Sequence, residues 1–263
     1  MITVATYNIL HGHYSDLILE NIKTLIDAGA GVICLQEADP PFKILLDEFL
    51  KQPRYKNWRA HYAHQGPVSN LAVLWDGLTL EPQKFHDLLL PNLGHADLVQ
   101  RLKRHTSIFQ RGALVGNFLF RGKILRVTSA HLGWEGGVRH RLKQLAFLRE
   151  FLDGSSADCD VVAGDFNTWA PAVFRGRQGN KVQKVLGAAY TNALPKLKWS
   201  CDLSYSVPQD GWGPVVKICR PLGIKLKSRL DYLFVRNLKV VSAEMLDLPG
   251  SDHRPLMARL GMK

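Results

Sequence analysis

The segment 160–167, Asp-Val-Val-Ala-Gly-Asp-Phe-Asn, places two polar side chains directly after a short apolar run. Val161 and Val162 are β-branched and favour a buried strand. Asp165 and Asn167 follow this strand, two residues apart. Because alternate side chains of an extended chain point to the same side, the pattern predicts that both face one site.

Three other apolar runs also end in a polar residue. They are 2–8, which ends in Asn8, 32–37, which ends in Glu37, and 124–131, which ends in His131. Near the C-terminus the order is inverted, because Asp231 precedes Tyr-Leu-Phe-Val, and Asp252 and His253 precede Pro-Leu-Met-Ala. If these late strands run antiparallel to the early ones, all of the polar groups meet at one rim.

The rim would hold acids, amides and imidazoles, with no serine or cysteine nucleophile. Its members are Asn8, Glu37, His131, Asp165, Asn167, Asp231, Asp252 and His253. Carboxylate and amide oxygens suit Mg²⁺ or Mn²⁺, whereas a Zn²⁺ site normally has more nitrogen or sulfur ligands. A divalent cation can neutralise a phosphate oxygen while a carboxylate positions water, and histidines can transfer protons or stabilise charge. The residue types therefore indicate phosphoester hydrolysis by water.

Six short motifs carry a family resemblance. They are Thr-Tyr-Asn at 6–8, Leu-Gln-Glu at 35–37, Ala-His-Leu at 130–132, Gly-Asp-Phe-Asn at 164–167, Arg-Leu-Asp-Tyr at 229–232 and Ser-Asp-His-Arg-Pro at 251–255. In this order the series resembles the endonuclease/exonuclease/phosphatase superfamily, which includes DNase I, abasic-site endonucleases, neutral sphingomyelinases and inositol-polyphosphate 5-phosphatases. The resemblance implies a four-layer αββα sandwich, in which helices flank two mixed β-sheets.

The resemblance also implies a role for each rim residue. Glu37 would be the principal metal ligand, with Asn8 beside it and Asp252 as a further ligand. Asp231 would orient His253, which would contact the phosphate or serve as the base.

Asp165 would position the attacking water, and Asn167 and His131 would hold phosphate oxygens. At the position of His131, DNase I and sphingomyelinase relatives carry histidine and abasic-site endonucleases carry tyrosine. Leu10 stands where abasic-site enzymes place an acid. Both positions argue against dedicated abasic-site repair.

Taken singly, these residues also have structural interpretations. Glu37 would cap the helix that follows Pro40, Asp252 would be a helix N-cap, and His131 would be a half-buried core histidine. Their joint occurrence in family order favours the site. His11 and His13 lie outside the resemblance and are interpreted as loop residues.

Three further residues are candidates for substrate binding. Asn70 lies in Ser-Asn-Leu-Ala-Val-Leu, which resembles a strand of sphingomyelinase-like members, and Arg111 begins an Arg-Gly-Ala-Leu run found in bacterial members. Trp212 lies in an aromatic and basic segment that could stack on bases or a lipid head group. Each of the three could equally be part of the scaffold or core.

The intervening chain predicts mixed α/β structure in one domain, 1–263. Helices are expected at 15–28, with Ser15 or Asp16 as the cap, at 42–50, and at 138–152 with basic residues outward. Strands are expected at 58–64, 70–75 and 79–85, and a hairpin at 111–132. The long connectors 91–110 and 199–227 are expected to set substrate choice.

The composition favours a polyanionic partner. The 34 Lys and Arg residues exceed the 23 Asp and Glu residues, which gives a net charge of +11. Nucleic acid is the commonest polyanion that such a protein binds, anionic lipid is the alternative, and a merely soluble basic surface is the simplest explanation. We expect a monomer.

The four cysteines are scattered, and no apolar stretch is long enough to span a bilayer. The N-terminus does not fit a signal peptide, so we expect a cytoplasmic protein with reduced cysteines and no transmembrane segment.

Three functions remain open on the sequence alone. The leading one is a Mg²⁺- or Mn²⁺-dependent phosphodiesterase, a DNase I-like nuclease that cleaves nucleic acid. A phospholipid or phosphoinositide phosphoesterase would use the same chemistry on another substrate. A catalytically silent nucleic-acid-binding module is the third, and the complete set of acids and histidines argues against it.

Overall fold

The computed structural model describes residues 1–64, 70–92, 110–168, 175–203, 221–222 and 226–263, without the side chains of 175–178. Two six-stranded sheets dominate these residues. The first has the order β13-β14-β1-β2-β4-β3, with β1 Ile2–Asn8, β2 Val32–Gln36, β3 Trp58–Tyr62, β4 Ala72–Asp76, β13 Leu238–Met245 and β14 Leu256–Met262. Within it, β1 and β2 are parallel and β14 is antiparallel to β1.

The second sheet has the order β5-β6-β7-β8-β12-β9. Its strands are β5 Glu81–Leu89, β6 Gly112–Phe120, β7 Lys123–His131, β8 Cys159–Asp165, β9 Thr191–Asn192 and β12 Asp231–Arg236. Here β7 and β8 are parallel, and β12 is antiparallel to β8. A separate two-stranded ribbon pairs β10 Cys201–Asp202 with β11 Lys227–Ser228. The late strands β12 and β14 thus run antiparallel to early ones, which is the condition for the polar groups to meet at one rim.

In the described part of the chain, four α-helices cover the outer faces of the two sheets. They are α1 Ser15–Asp27, α2 Pro40–Leu50, α3 Gly137–Asp153 and α4 Arg175–Leu186. Pro40 begins α2, where its fixed φ suits the first helical turn. Ser15 does not cap α1, because it is already helical, and its Oγ donates to the Gly12 carbonyl at 2.7 Å.

The alternation of side chains along the strands creates three apolar layers. Val4 faces the layer between the sheets, whereas Ala5 and Tyr7 face the layer under α1 and α2. In the second sheet Val161 faces inward and Val162 faces α3 and α4. Each sheet therefore buries both faces, and the αββα sandwich that the resemblance implied is confirmed.

Several predicted boundaries differ from those observed. The strand predicted at 79–85 runs instead from Glu81 to Leu89, and β2 ends at Gln36, one residue before Glu37. The basic residues of α3 do not all face outward, because Arg141 is buried and its Nη1 donates to the Trp134 carbonyl. This bond ties α3 to the loop that follows β7.

Within the described ranges, no helix has both the length and the apolar character that crossing a bilayer requires. Trp212, most of the two long connectors and the turn expected near Gly66 lie outside these ranges.

Candidate active site

Strand register brings the polar ends of the central strands together. His131, the last residue of β7, lies opposite Asp165, the last residue of β8, in the parallel pair. Asp231, the first residue of β12, lies opposite Asp165 on the other side. Asn8 ends β1 beside Gln36 in the first sheet. One rim of the sandwich therefore collects an amide, two acids and an imidazole.

A buried hydrogen-bond network joins the two sheets beneath this rim. Gln36 is fully buried, and its Nε2 donates to the Ser129 Oγ of the second sheet at 2.9 Å. The Ser129 hydroxyl in turn donates to the Leu35 carbonyl at 3.0 Å. Because these polar groups are satisfied by each other, they fix how far apart the two halves of the rim lie.

Gly164 lets β8 approach β7 directly before Asp165. Its φ is +139°, and a Cβ there would overlap the backbone carbonyl of Ala130. An L side chain is disfavoured by both the space and the backbone conformation. The glycine in Gly-Asp-Phe-Asn is thus required for the approach that sets Asp165 beside His131.

Asn8 links the two carboxylates of the rim. Its Nδ2 donates to Glu37 Oε1 at 3.1 Å and to Asp165 Oδ2 at 3.0 Å. Its Oδ1 accepts the Leu10 N–H at 3.1 Å, which fixes the orientation of the amide. Asn8 therefore acts as a donor that holds Glu37 and Asp165 together, and its Oδ1 has a second lone pair besides the one that accepts the Leu10 N–H.

Glu37 has an unusual backbone conformation. Its φ is +61°, in the left-handed region that a non-glycine residue enters at a cost. The side chain is only 14% exposed. This turn, which ends the strand earlier than predicted, aims the carboxylate at the rim instead of continuing β2.

His11 is a neighbour of this carboxylate that sequence analysis left as a loop residue. Its Nε2 lies 3.2 Å from Glu37 Oε2, and its Nδ1 lies 2.9 Å from Asp39 Oδ2. The φ of His11 is +55°, and Gly12 follows with a φ of +69°. Hydrophobic periodicity does not predict a turn of this kind. In the sequence, only the glycine after His11 indicates the turn that brings His11 to Glu37.

Asp165 is a buried acid of the rim, with 2% of its surface exposed. Burial raises its pKa, and the nearby charges of Asp231 and Glu37 raise it further, whereas His253 and a hydrogen bond from Asn167 lower it, to give about 7. Asp165 is therefore able to exchange a proton near neutral pH.

Asn167 reaches the site by a different route from the one predicted. The strand ends at Asp165, and Asn167 has a φ of +49°. Its backbone N–H donates to Asp165 Oδ1 at 2.8 Å, and its Nδ2 donates to the Leu132 carbonyl at 2.8 Å. A local side chain-to-backbone turn, not extended-chain alternation, places the two residues together.

His253 is held by Asp231. Nδ1 of the imidazole lies 2.8 Å from Asp231 Oδ2 and 3.1 Å from Oδ1. Nε2 faces the rim, 3.8 Å from Asp165 Oδ2. Burial alone would lower the pKa of His253, but the charge of Asp231, reinforced by other neighbours, raises it well above the usual value. His253 is thus an imidazolium at neutral pH.

His131, in contrast to His253, is the neutral imidazole of the rim. Its Nε2 lies 3.6 Å from Asp165 Oδ2 and 3.8 Å from Glu37 Oε1. Burial lowers the pKa of His131, and Arg111, His253 and His11 lower it further. The imidazole is therefore neutral.

Arg111 determines which nitrogen of His131 carries the proton. Its Nη1 lies 3.4 Å from His131 Nδ1. A guanidinium can only donate, so Nδ1 accepts and Nε2–H points at the rim. Arg111 is held in turn by Glu135, which is 2% exposed and accepts from Nη2 at 3.2 Å. Sequence analysis missed Glu135 and expected Arg111 to bind substrate directly.

Asp252 lies on the far side of His253. Its Oδ1 is 3.9 Å from His253 Nε2, and its backbone carbonyl accepts the Asp202 N–H. The neighbouring Ser251 hydroxyl donates to the Asn8 carbonyl at 2.8 Å, which ties this loop to β1. Cys201 is buried beside it, and burial raises the pKa of its thiol to about 12.

The other substrate candidates are only partly placed. The Asn70 carbonyl accepts the Ala38 N–H at 2.8 Å, so Asn70 lies beside the residue that follows Glu37. Trp212 lies outside the described residues.

The donor set fits a hard divalent cation. The carboxylates of Glu37 and Asp165 share one amide donor, and those of Asp231 and Asp252 both lie next to His253. Asp165, Asp231 and His253 offer ligand atoms that all lie within 4.8 Å of one another. Carboxylate oxygens in this number suit Mg²⁺ or Mn²⁺.

The fold matches that of several solved structures. The endonuclease/exonuclease/phosphatase from Bacteroides vulgatus is 15% identical, with coverage of 100% of this chain and 99% of that chain and a TM-score of 0.73. D. rerio TDP2, complexed with single strand DNA product, is 16% identical, with 99% of each chain covered and a TM-score of 0.71. The Bacteroides thetaiotaomicron mannosyl-6-phosphatase Bt3783 is 14% identical over 100% of both chains, with a TM-score of 0.72.

The search of curated proteins found no match. The family comparison is decisive, because the Endonuclease/Exonuclease/phosphatase family model matches residues 5–253. This range contains the whole of the rim described above. The chain therefore belongs to the Endonuclease/Exonuclease/phosphatase family, whose members are phosphoester hydrolases.

Proposed function

We propose that this protein is a divalent-metal-dependent phosphodiesterase that hydrolyses nucleic-acid phosphodiester bonds by the attack of water. The observation that carries the proposal is the pocket around Asp165. The Nε2 atoms of His131 and His253 lie 3.6 and 3.8 Å from its Oδ2, and Asn8 joins it to Glu37. One protonated and one neutral imidazole thus face one buried acid.

Glu37 is the principal metal ligand in this proposal, and Asp252 is a further one. A bound Mg²⁺ or Mn²⁺ would neutralise negative charge on a phosphate oxygen. Asn8 is a third ligand in this proposal, through Oδ1, and its amide also fixes the carboxylate of Glu37 by the 3.1 Å hydrogen bond.

Asp165 positions the attacking water and accepts its proton. A pKa of about 7 suits this task, because the carboxylate and its conjugate acid are both populated at neutral pH. The new P–O bond forms as the oxygen of the leaving group departs. Asn8 and Asn167 hold the acid in place from opposite sides.

The two histidines act on phosphate oxygens in different ways. His253, protonated and aligned by Asp231, stabilises the negative charge that builds up during attack. His131, neutral, donates one hydrogen bond from Nε2. Asn167 Nδ2 carries a second hydrogen, besides the one bound by the Leu132 carbonyl, for a further phosphate oxygen.

Nucleic acid is proposed as the substrate on two grounds. The net charge of +11 favours a polyanion. TDP2, which has the same fold, forms a complex with single strand DNA product. We further propose a monomeric, single-domain protein in the cytoplasm, where Cys34, Cys159 and Cys201, all free and buried, would stay reduced.

The test offers the purified protein plasmid DNA, RNA, sphingomyelin, a phosphoinositide and mannose 6-phosphate, each with Mg²⁺ or with EDTA. We expect Mg²⁺-dependent cleavage of nucleic acid. Turnover of lipid or sugar phosphate alone would refute the nuclease assignment, and activity in EDTA would refute the metal requirement.

Variants of the rim separate chemistry from folding. Asp165→Ala and His253→Ala are expected to abolish cleavage while the circular dichroism spectrum is retained. The exposed residues Glu48 and His13 provide matched controls, and Glu48→Ala and His13→Ala should cleave at the wild-type rate. Cleavage that survives in a rim variant removes that residue from the mechanism.

A further inference from the structure

Cys201 and His253 are placed side by side by the backbone. They form an antiparallel bridge between β10 and the loop before β14. The Asp202 N–H donates to the Asp252 carbonyl and the Arg254 N–H to the Ser200 carbonyl, each at 2.7 Å. In an antiparallel pair flanked by such bonds, the two opposed side chains project to the same side at close range.

Asp252 completes a three-residue group with this pair. The ligand atoms of Cys201, Asp252 and His253 all lie within 4.8 Å of one another, and all three residues are buried. The separation of His253 Nε2 from Asp252 Oδ1 is 3.9 Å. In a tetrahedral site with bonds of ~2.0–2.3 Å, ligand atoms lie roughly 3.3–3.8 Å apart. Small side-chain movements are therefore enough to close the group around an ion.

The chemistry of this group differs from that of the carboxylates around Glu37. A thiolate and an imidazole are softer ligands than carboxylate oxygens, and their combination with one carboxylate selects Zn²⁺ over Mg²⁺.

The orientation of His253 gives a second, independent indication. Its Nδ1 is held by the Asp231 carboxylate at 2.8 Å, whereas Nε2 lies 3.9 Å from Asp252 Oδ1 and 3.8 Å from Asp165 Oδ2. Histidines that bind zinc almost always have the other ring nitrogen held by a carboxylate or carbonyl in this way.

We propose that Cys201, Asp252 and His253 form an inhibitory Zn²⁺ site that shares Asp252 and His253 with the hydrolytic centre. On binding, the Cys201 thiol and the protonated Nε2 of His253 each lose a proton to solvent as the sulfur–zinc and nitrogen–zinc bonds form, and a water takes the fourth position. His253 Nε2 then coordinates the ion and cannot contact a phosphate. The inhibitory effect rests on the proposed function, whereas the metal site does not.

Co²⁺ is the spectroscopic probe for the site. Titration of the full-length protein with Co²⁺ should produce the absorption band of thiolate-to-cobalt charge transfer. Cys159→Ser is the matched control, because Cys159 is a buried thiol at the opposite end of β8 from Asp165. The band should persist in Cys159→Ser and disappear in both Cys201→Ser and Cys201→Ala, with circular dichroism confirming that each variant is folded. A band that survives in folded Cys201 variants, or its absence from the wild type, overturns the proposal.

Inhibition supplies the second readout. With Mg²⁺ present, the Zn²⁺ concentration that halves hydrolysis should rise by about tenfold or more in Cys201→Ser, each protein being normalised to its own zinc-free rate. Equal sensitivity of wild type and Cys201→Ser would refute the inhibitory role while leaving the hydrolase intact. A Cys201-dependent cobalt band in a protein that hydrolyses none of the substrates would instead refute the proposed function and retain the metal site.

Discussion

Arg111→Met tests whether the ion pair beside His131 positions that histidine. The variant leaves the Glu135 carboxylate, which is 2% exposed, without the cation 3.2 Å away. Loss of one partner of a buried pair costs about 3–5 kcal/mol. Because Arg111 itself is 15% exposed, we expect the lower end, about 3 kcal/mol of unfolding free energy.

The same variant removes the donor that fixes His131. The hydrogen bond to Nδ1 is long, at 3.4 Å, which places it at the low end of charge-assisted bonds, about 1.5 kcal/mol. We therefore expect kcat to fall about tenfold. The pKa of His131 should rise because the repulsion from Arg111 is lost. It should stay below the usual value, because burial, the main cause of the lowered pKa, remains.

The double variant Arg111→Met/Glu135→Leu separates the two effects. Replacing a buried ion pair by apolar residues is often nearly neutral, so stability should largely return, whereas kcat should stay low because His131 still lacks its donor. Urea denaturation gives the stabilities, steady-state hydrolysis gives kcat, and ¹⁵N NMR of the imidazole gives the protonated nitrogen. Full recovery of kcat in the double variant would refute the reasoning, as would Arg111→Met with wild-type stability.

Three further perturbations test other parts of the structure. Asp231→Asn should lower the pKa of His253, because the charge of Asp231 is the largest of the contributions that raise this pKa against the opposing effect of burial. A group with a raised pKa loses its protonated form as pH rises through the folded pKa. The alkaline limb of the pH–kcat profile should therefore move to lower pH, and an unmoved limb would contradict this. Asp160→Asn leaves Arg126, which is 1% exposed, without its anionic partner. The unfolding free energy measured in urea should fall by about 3–5 kcal/mol, and a loss below about 1 kcal/mol would contradict the buried pair. Gly164→Ala places a side chain on a residue with a φ of +139° and should lower the unfolding free energy by more than about 1–3 kcal/mol. The value of kcat should fall as well. A stable and active variant would show that β8 does not need this close approach to β7.

The strand ends were predictable because each rests on a local pattern. An apolar run that stops at a polar residue predicts both the strand and the direction of its last side chain, as with His131 in β7. The inverted order at Asp231 and Asp252 brings these residues to the rim only if their strands run antiparallel to the early ones, and β12 and β14 meet that condition. Motif order supplied the layer arrangement, which periodicity alone does not specify.

The missed contacts depend on backbone turns or distant partners. Glu37 and Asn167 both have positive φ, which a sequence of non-glycine residues does not reveal. Glu135 meets Arg111 only because α3 and the loop before it fold back over β6 and β7. His11 reaches Glu37 from a turn that carries no periodic signal. Such contacts follow from tertiary packing, not from local propensity.

The most direct test of a shared cation-holding pocket is calorimetric titration of Mn²⁺ into the metal-free protein. The account predicts Mn²⁺ binding by the wild type and by Glu48→Gln, whose carboxylate is 64% exposed on α2, and loss of that binding in Glu37→Gln. Equal affinity in all three proteins would contradict the account, because Mn²⁺ would then bind without the carboxylate of Glu37, the proposed principal metal ligand.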